Sequence, residues 1–408
     1  MEKKQNVPAL RFPGFSGEWE RRQLKEIGTI MTGNTPSPSH SEYYSDNGIF
    51  WVTPSDIMDV IVTNTSRKLS LKGEKVGRIA AAGSILVTCI ASIGKNALLT
   101  VNGGFNQQIN SLTPSKDYDS SFLLYESFSW SEKMKREAAA GTMQIVNKTE
   151  FSEIFTTVPT HEEQSKIGQI LKYLENKLTF QRRKIQKLQQ FRQAMLTKLF
   201  PREGAAEPEL RFRGFSGKWE SHYLGMLGVT FSGLSGKTKA DFGHGKARFV
   251  PYLNVFNHPI ADLQETEAIE IDDKQNEVKY GDIFFTTSSE TPEEVGMSSV
   301  WLGNERNVYL NSFCFGYRPT SILYPFFMAF LLRSSSIRKK FIFLAQGISR
   351  YNISKNKVME IEIPVPSFEE QKAIGNFFYR LDTYISLQQK KLERMQRLKA
   401  ALLEKMFV

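Results

Sequence analysis

Glu162–Phe200 reads EEQSKIGQILKYLENKLTFQRRKIQKLQQFRQAMLTKLF. Ile167, Leu171, Leu174, Leu178, Ile185, Leu188, Phe191, Met195 and Leu199 recur in it at alternating steps of about three and four, the period of a coiled-coil seam. A second stretch repeats the pattern. Between Glu369 and Phe407 the seam is Ile374, Phe378, Leu381, Ile385, Leu392, Met395, Leu398, Leu402 and Met406, and both seams carry a glutamine at the same step, Gln181 and Gln388. A polar residue at a seam position costs stability but fixes register and partner, so the two helices are expected to pack on each other, with Leu188 and Leu392 buried between them. A helix of this length extends about 55 Å, far more than a compact domain needs. Each is entered through a proline, Pro159 or Pro366, and opens on Glu-Glu-Gln, whose acidic residues suit the positive helix end.

Working outward, the whole chain proves to be one unit written twice. Pro8–Glu20, PALRFPGFSGEWE, returns as Pro208–Glu220, PELRFRGFSGKWE. The correspondence continues through Thr32-Gly33 with Ser232-Gly233, Gly83–Thr88 with Gly281–Thr286, Asn106 with Asn311, Pro114 with Pro319 and Gly141 with Gly347, and ends in the two helices. Each unit is an entry segment, a globular body and a long helix. The glycine-led runs Ser84–Ala91 and Asp282–Thr287 fit buried strands, while Phe122–Ser131 and Tyr324–Leu332 fit helices, which makes the class α+β. The expected division is 1–161 for the first body, 162–200 for the first helix, 201–368 for the second body and 369–408 for the second helix. Divergence concentrates where Tyr43–Asp59 (YYSDNGIFWVTPSDIMD) faces Phe242–Asn257 (FGHGKARFVPYLNVFN), so the bodies share a frame but not a face.

Of the 408 residues, 40% are hydrophobic and 12% aromatic, ample for packed cores. The polar start Met1–Asn6 and the lack of any apolar run of signal or membrane-spanning length point to the cytoplasm. Cys89 and Cys314 lie in separate repeats inside apolar runs and read as buried free thiols. Of the net charge of +10, nearly all sits on the helices: 162–200 holds nine Lys and Arg against three acidic residues, and 369–408 holds eight against five. On charge alone the first explanation is that coiled coils carry charges on their outer faces; the sharper alternative is a polyanion lying along the helix pair.

Catalytic patterns fail one by one. Gly236-Lys237-Thr238 resembles the tail of a phosphate-binding loop, but Phe231 stands where the leading glycine belongs. The five histidines lack metal-ligand spacing, and no nucleophile elbow, dinucleotide fingerprint or Asp/Asn-Pro-Pro-aromatic tetrapeptide is present. The chain is therefore expected to be non-catalytic, with no catalytic, cofactor or metal residues of its own.

Two divergent bodies, each preceded by Gly-x-Trp-Glu (Gly17–Glu20, Gly217–Glu220) and followed by a Pro-to-Glu-Gln entry into a long helix (Pro159–Gln164, Pro366–Gln371), resemble the specificity (S) subunit of Type I restriction-modification systems. The resemblance implies two target recognition domains in a pseudo-two-fold tandem repeat, joined by helices packed as an antiparallel coiled coil. It implies double-stranded DNA as ligand, each body reading one half of a bipartite site while the helices set the spacer. It implies two methyltransferase subunits for adenine N6 methylation and two restriction subunits, with S-adenosylmethionine, ATP and Mg belonging to those partners and none to this chain; no membrane is involved. Half-sites read from one face of B-DNA lie about 34 Å apart, a span helices of this length cover.

Direct readout needs paired donors and acceptors: Arg for guanine, Asn or Gln for adenine, Ser or Thr for either. On residue type and place, the DNA-binding candidates are Thr53, Ser55, Ser92, Lys95 and Gln144 in the first body, and Asn254, Ser288, Ser289, Arg350 and Asn352 in the second. Asn106 and Asn311 match between copies and are expected to be framework. The reading from another class is a non-enzymatic coiled-coil scaffold whose bodies bind two protein partners, supported by the near neutrality of the bodies. A self-contained DNA-modifying enzyme has only Gly236-Lys237-Thr238 to support it.

Overall fold

Each body is closed by its own entry segment. Glu20–Gln23 pairs antiparallel with Phe155–Val158, and Glu220–Tyr223 pairs in the same register with Glu362–Val365, so the strand leaving each body for its helix is held by the strand that entered it. The computed structural model describes residues 6–139 and 145–408. It divides into two compact units, one of Met1–Arg182 with Lys391–Val408 and one of Arg183–Lys390.

The first unit holds two mixed sheets. In the larger, the strands run in the order Gly28–Thr32, Ile109–Pro114, Ile85–Thr88, Asn96–Leu99, Ile61–Val62. Ile85–Thr88 is buried along its whole length, as expected of an apolar run bounded by glycine. The second sheet is built on Tyr44–Val52, flanked by antiparallel Arg67–Leu69 and parallel Gly103–Phe105. The second unit repeats both. Gly228–Ser232, Cys314–Pro319, Ile283–Thr286 and Ser298–Val300 form the first sheet, and Phe242–Val250 carries the second between Glu267–Ile269 and Val308–Leu310.

The stretches that diverge most in sequence thus begin on the same scaffold. Tyr44–Val52 and Phe242–Val250 are both nine-residue strands with a register shift at the same place. The chains part only afterwards: Thr53–Asp56 makes a turn, whereas Tyr252–Asn257 makes a short helix. A cation pins each. Lys95 Nζ donates to the Pro54 carbonyl at 2.9 Å, and Arg333 reaches the carbonyls of Val255, Phe256, His258 and Ser298 at 2.7–3.0 Å. Burial pushes the Arg333 guanidinium down to about 9. The bodies also differ in the helix that packs on the first sheet. Where the first body has the single 20-residue helix Ser120–Ala139, the second has two, Pro325–Leu331 and Ser335–Leu344, with a break at Arg333-Ser334.

The long helices run over His161–Lys198 and Phe368–Met406, each contributing one end to each unit. Their antiparallel pairing is visible inside each unit. Lys399 of the second helix donates to Glu175 of the first, and Arg192 of the first donates to both oxygens of Asp382 of the second. Ile167, Leu171, Leu174, Leu178, Ile185, Ile374, Phe378 and Ile385 are buried as the seam requires. Leu188, Leu381, Leu392 and Met395 are only half-buried, and Phe191 and Leu398 are 45% and 50% exposed, so the seam is not continuous. The helix ends, by contrast, are not a bare two-helix contact. Ile167 and Leu171 join the first body's core together with Met406, while Ile374 and Phe378 join the second body's core with Leu196, Leu199 and Phe200.

Candidate nucleic-acid interface

Both bodies present a rim at the end of the central buried strand, and one hydrogen bond defines it in each. Val146 N donates to the Cys89 carbonyl and Ile353 N to the Thr287 carbonyl, both at 2.9 Å, so Thr88–Ser92 and Thr286–Glu290 are equivalent segments. Beneath each rim lies a fixed polar frame. Asn106 holds Gln108, and Asn311 donates to the Val250 carbonyl at 3.0 Å and accepts from Phe313 N at 2.9 Å, so this matched pair is framework as expected. Cys89 and Cys314 are buried free thiols that receive Asn110 and Asn311 amides at 3.3 Å, and burial raises both to about 12.

In the first body the structure brings Thr53, Ser55 and Lys95 together, through the Lys95 bond to Pro54. Ser55, Ser92 and Lys95 are exposed. Thr53 is half-buried and committed to the turn: its Oγ1 and N donate to Asp56 Oδ2 at 2.6 and 2.9 Å. Asp56 is thereby held below the usual carboxylate range, although its partial burial opposes this. Ala91, next to Ser92, has a φ of 61°, a conformation an alanine adopts only when its surroundings enforce it. Gln144 and Gly141 lie outside the described residues.

In the second body four of the five candidates meet. Ser288 and Ser289 pair with Asn352 and Tyr351, and the Gln346–Asn352 backbone bonds at 3.0 and 2.8 Å close a loop that carries Arg350. Gly347 makes that loop feasible: its φ is 147°, and a Cβ there would stand 2.0 Å from the Arg350 carbonyl. Ser288, Ser289 and Arg350 line one open groove of about 520 Å³. The two serines are mostly buried, with Ser289 Oγ donating to Glu294 at 3.1 Å, whereas Arg350 and Asn352 are exposed.

Asn254 is not available to any ligand. It is fully buried, its amide nitrogen donates to the carbonyls of Asp262 and Glu265 at 2.8 Å each, and its oxygen accepts from Asp262 N at 2.9 Å. The residue type pointed to base reading, but every donor and acceptor is spent on holding the loop after the short helix. The phosphate-loop remnant has a similar fate, since Lys237 is ion-paired to Asp272 at 2.7 Å. Among the groove residues that sequence reasoning passed over are Tyr252, Glu290 and Phe313. Phe313 was findable: it is a large exposed aromatic two residues after the matched Asn311.

These geometries describe a duplicated α+β frame with differing surface loops set on equivalent rims. The chain belongs to the Type I restriction modification DNA specificity domain family, whose model matches residues 16–190 and 237–397. The specificity subunit of the HindI Type I restriction enzyme of Haemophilus influenzae is 34% identical over 150 residues, 35% of this chain and 32% of that one. The MjaIX specificity subunit of Methanocaldococcus jannaschii is 30% identical over 170 residues, covering 39% of this chain and 38% of that protein. The matched region thus spans about a third of the length of these curated relatives. In fold the chain is similar over 98% of its length to the S subunit of a Type I restriction-modification system from M. genitalium, 99% of which is covered, with a TM-score of 0.64 at 17% identity.

Proposed function

We propose that this chain is the DNA sequence-recognition subunit of a Type I restriction-modification complex, non-catalytic itself and resident in the cytoplasm. Each body reads one half of a bipartite duplex site, and the long helices set the spacer and dock the partner subunits. The observation that carries this reading is the contrast within each unit. Backbone hydrogen bonds that hold the rims recur in both bodies, while the exposed segments differ in sequence and, after the first strand, part into a turn in one body and a short helix in the other.

Two methyltransferase subunits suit the duplicated frame, since a repeated surface serves identical partners twice. Phe180 and Leu387, at equivalent steps of the two helices, both leave large apolar side chains exposed. Adenine N6 methylation with S-adenosylmethionine, and translocation and cleavage with ATP and Mg, belong to the methyltransferase and restriction partners in this reading. Among the described residues no helix is long and apolar enough to cross a membrane.

The test is modular exchange. Residues 22–140 are replaced by the equivalent body of a relative, the chain is produced with its methyltransferase partner, and methylated adenines are mapped genome-wide. One half of the site should change and the other persist. A change in both halves, or in neither, would overturn the assignment of one body to one half.

A further inference from the structure

We propose that Arg350 and Glu290 of the second body together read a single G·C base pair, so that the half-site of this body contains one obligatory G·C. The inference rests on the DNA-recognition reading above and goes beyond it by naming a base pair and the two side chains that specify it.

Arg350 and Glu290 belong to different segments that line the same groove. Glu290 directly follows the Ser288-Ser289 strand, and Arg350 sits on the loop fastened to that strand through Asn352. Both side chains are exposed, and neither enters a side-chain hydrogen bond or ion pair among the described residues. An arginine and a glutamate bordering one groove without pairing leave a donor-only fork and an acceptor-only carboxylate open to the same groove. In the major groove a G·C pair offers the complement: the O6 and N7 acceptors of guanine for the guanidinium, and the N4 amino donor of cytosine for the carboxylate. An A·T pair lacks two adjacent acceptors for the fork, because the N7 acceptor of adenine is followed by its N6 donor and the O4 acceptor of thymine by a methyl.

The carboxylates argue against a simple phosphate contact. A backbone-binding patch gathers positive charge, whereas this groove sets Glu290 and Glu294 beside Arg350. Glu294 is already engaged by Ser289 Oγ at 3.1 Å, which leaves Glu290 as the open acceptor. Brought against DNA, Glu290 is repelled by phosphates unless a base amino group meets it. That repulsion against the wrong pair is itself a source of specificity. The first body is built differently at this point, with Ser92 at the position equivalent to Glu290, so its half-site carries no such requirement from this residue.

The experiment uses the full chain assembled with its methyltransferase partner, carrying Arg350→Gln, Arg350→Lys or Glu290→Gln, with methylated adenines mapped as above. The half-site of the second body is the one that persists when residues 22–140 are exchanged. Each variant should relax the same single G·C position, lowering discrimination there by roughly 5- to 100-fold, the range of one good base contact. Arg350→Lys should relax it too, because charge without the fork is not enough. Unchanged consensus with uniformly weaker binding and a shallower salt dependence would make Arg350 a phosphate contact and overturn the proposal. Relaxation at two different positions, or a half-site without an invariant G·C, would overturn it as well. Absence of any sequence-specific methylation by the unaltered complex would instead overturn the recognition reading on which it rests.

Discussion

Arg11 grips Glu163 with both ends of its guanidinium, Nε to Oε1 at 2.6 Å and Nη2 to Oε2 at 2.7 Å, and the carboxylate it holds is wholly buried. The second unit repeats the contact with Arg211 and Glu370 at 2.8 and 2.7 Å. This fork ties the entry segment to the first turn of the long helix. The neighbouring glutamine completes the joint: Gln164 receives Asp119 N and donates to the Pro159 carbonyl, and Gln371 receives Tyr324 N and donates to the Pro366 carbonyl, at 2.8–3.0 Å. Removing the cation leaves a buried charge without its partner, a change that costs on the order of 3 kcal/mol or more. Arg211→Ala should therefore lower the urea midpoint of unfolding clearly more than Arg22→Ala, whose ion pair with Glu20 is exposed. Equal effects of the two substitutions would show that the fork is not a structural joint.

A second prediction concerns pH. Glu126 is buried in Ser120–Ala139, accepts from Thr156 Oγ1 at 2.9 Å and Ser129 Oγ at 3.1 Å, and feels the positive charge of Lys133. Burial raises it from 4.5 to about 7 despite those bonds. A carboxyl that holds its proton more tightly in the folded state contributes stability fully at pH values below about 4.5 and loses it as pH climbs through about 7. Glu126→Gln should flatten the fall in stability between those limits, measured as denaturation midpoints across the pH range. A slope identical to that of the unaltered protein would mean that Glu126 does not titrate there.

The joint and the buried acid mark the limit of what the sequence makes legible. The repeat, the long helices and the α+β class are written in periodicity and self-similarity, which survive without three-dimensional context. Glu-Glu-Gln was legible as a helix start, but its acids were read as partners of the helix end, whereas Glu163 and Glu370 answer arginines more than 150 residues away. Gly168 and Gly375 carried a readable signal, since glycine is disfavoured inside helices and both sit at the same step. A Cβ on either would collide with the start of the body helix, 2.9 Å from Phe122 N and 2.7 Å from Phe327 N. The site was less legible for a physical reason. Residue type states what a side chain can bond, not what already occupies it, and so Asn254 looked like a base reader when its amide was wholly engaged.

Seam truncations should follow burial rather than heptad position. Leu178 is 1% exposed, and Leu178→Ala should cost about 2–5 kcal/mol. Leu188 occupies an equally good seam step but is half-buried, so Leu188→Ala should cost below about 2 kcal/mol. Chemical denaturation of the two variants checks the order. Equal losses would restore the continuous two-helix seam that periodicity alone suggests.

The last prediction bears on the helices as a ruler. The ion pairs Glu175–Lys399 and Arg192–Asp382 each lie inside one compact unit, and the unit boundary falls between Arg182 and Arg183 on one helix and between Lys390 and Lys391 on the other. Inserting four residues at one break alone would shift one helix against the other and set those pairs in conflict. Inserting four at both breaks leaves each unit's own contacts intact. The added rise is about 6 Å, which corresponds to up to about two base pairs at 3.4 Å per step. Four residues slightly exceed one 3.6-residue turn, so the insertion also adds a modest rotation, at some cost in affinity. Methylation mapping of the double insertion should return both half-sites unchanged and a longer spacer between them. An unchanged spacer with full activity would show that the helices do not set the spacing and serve only as a docking surface for partner subunits.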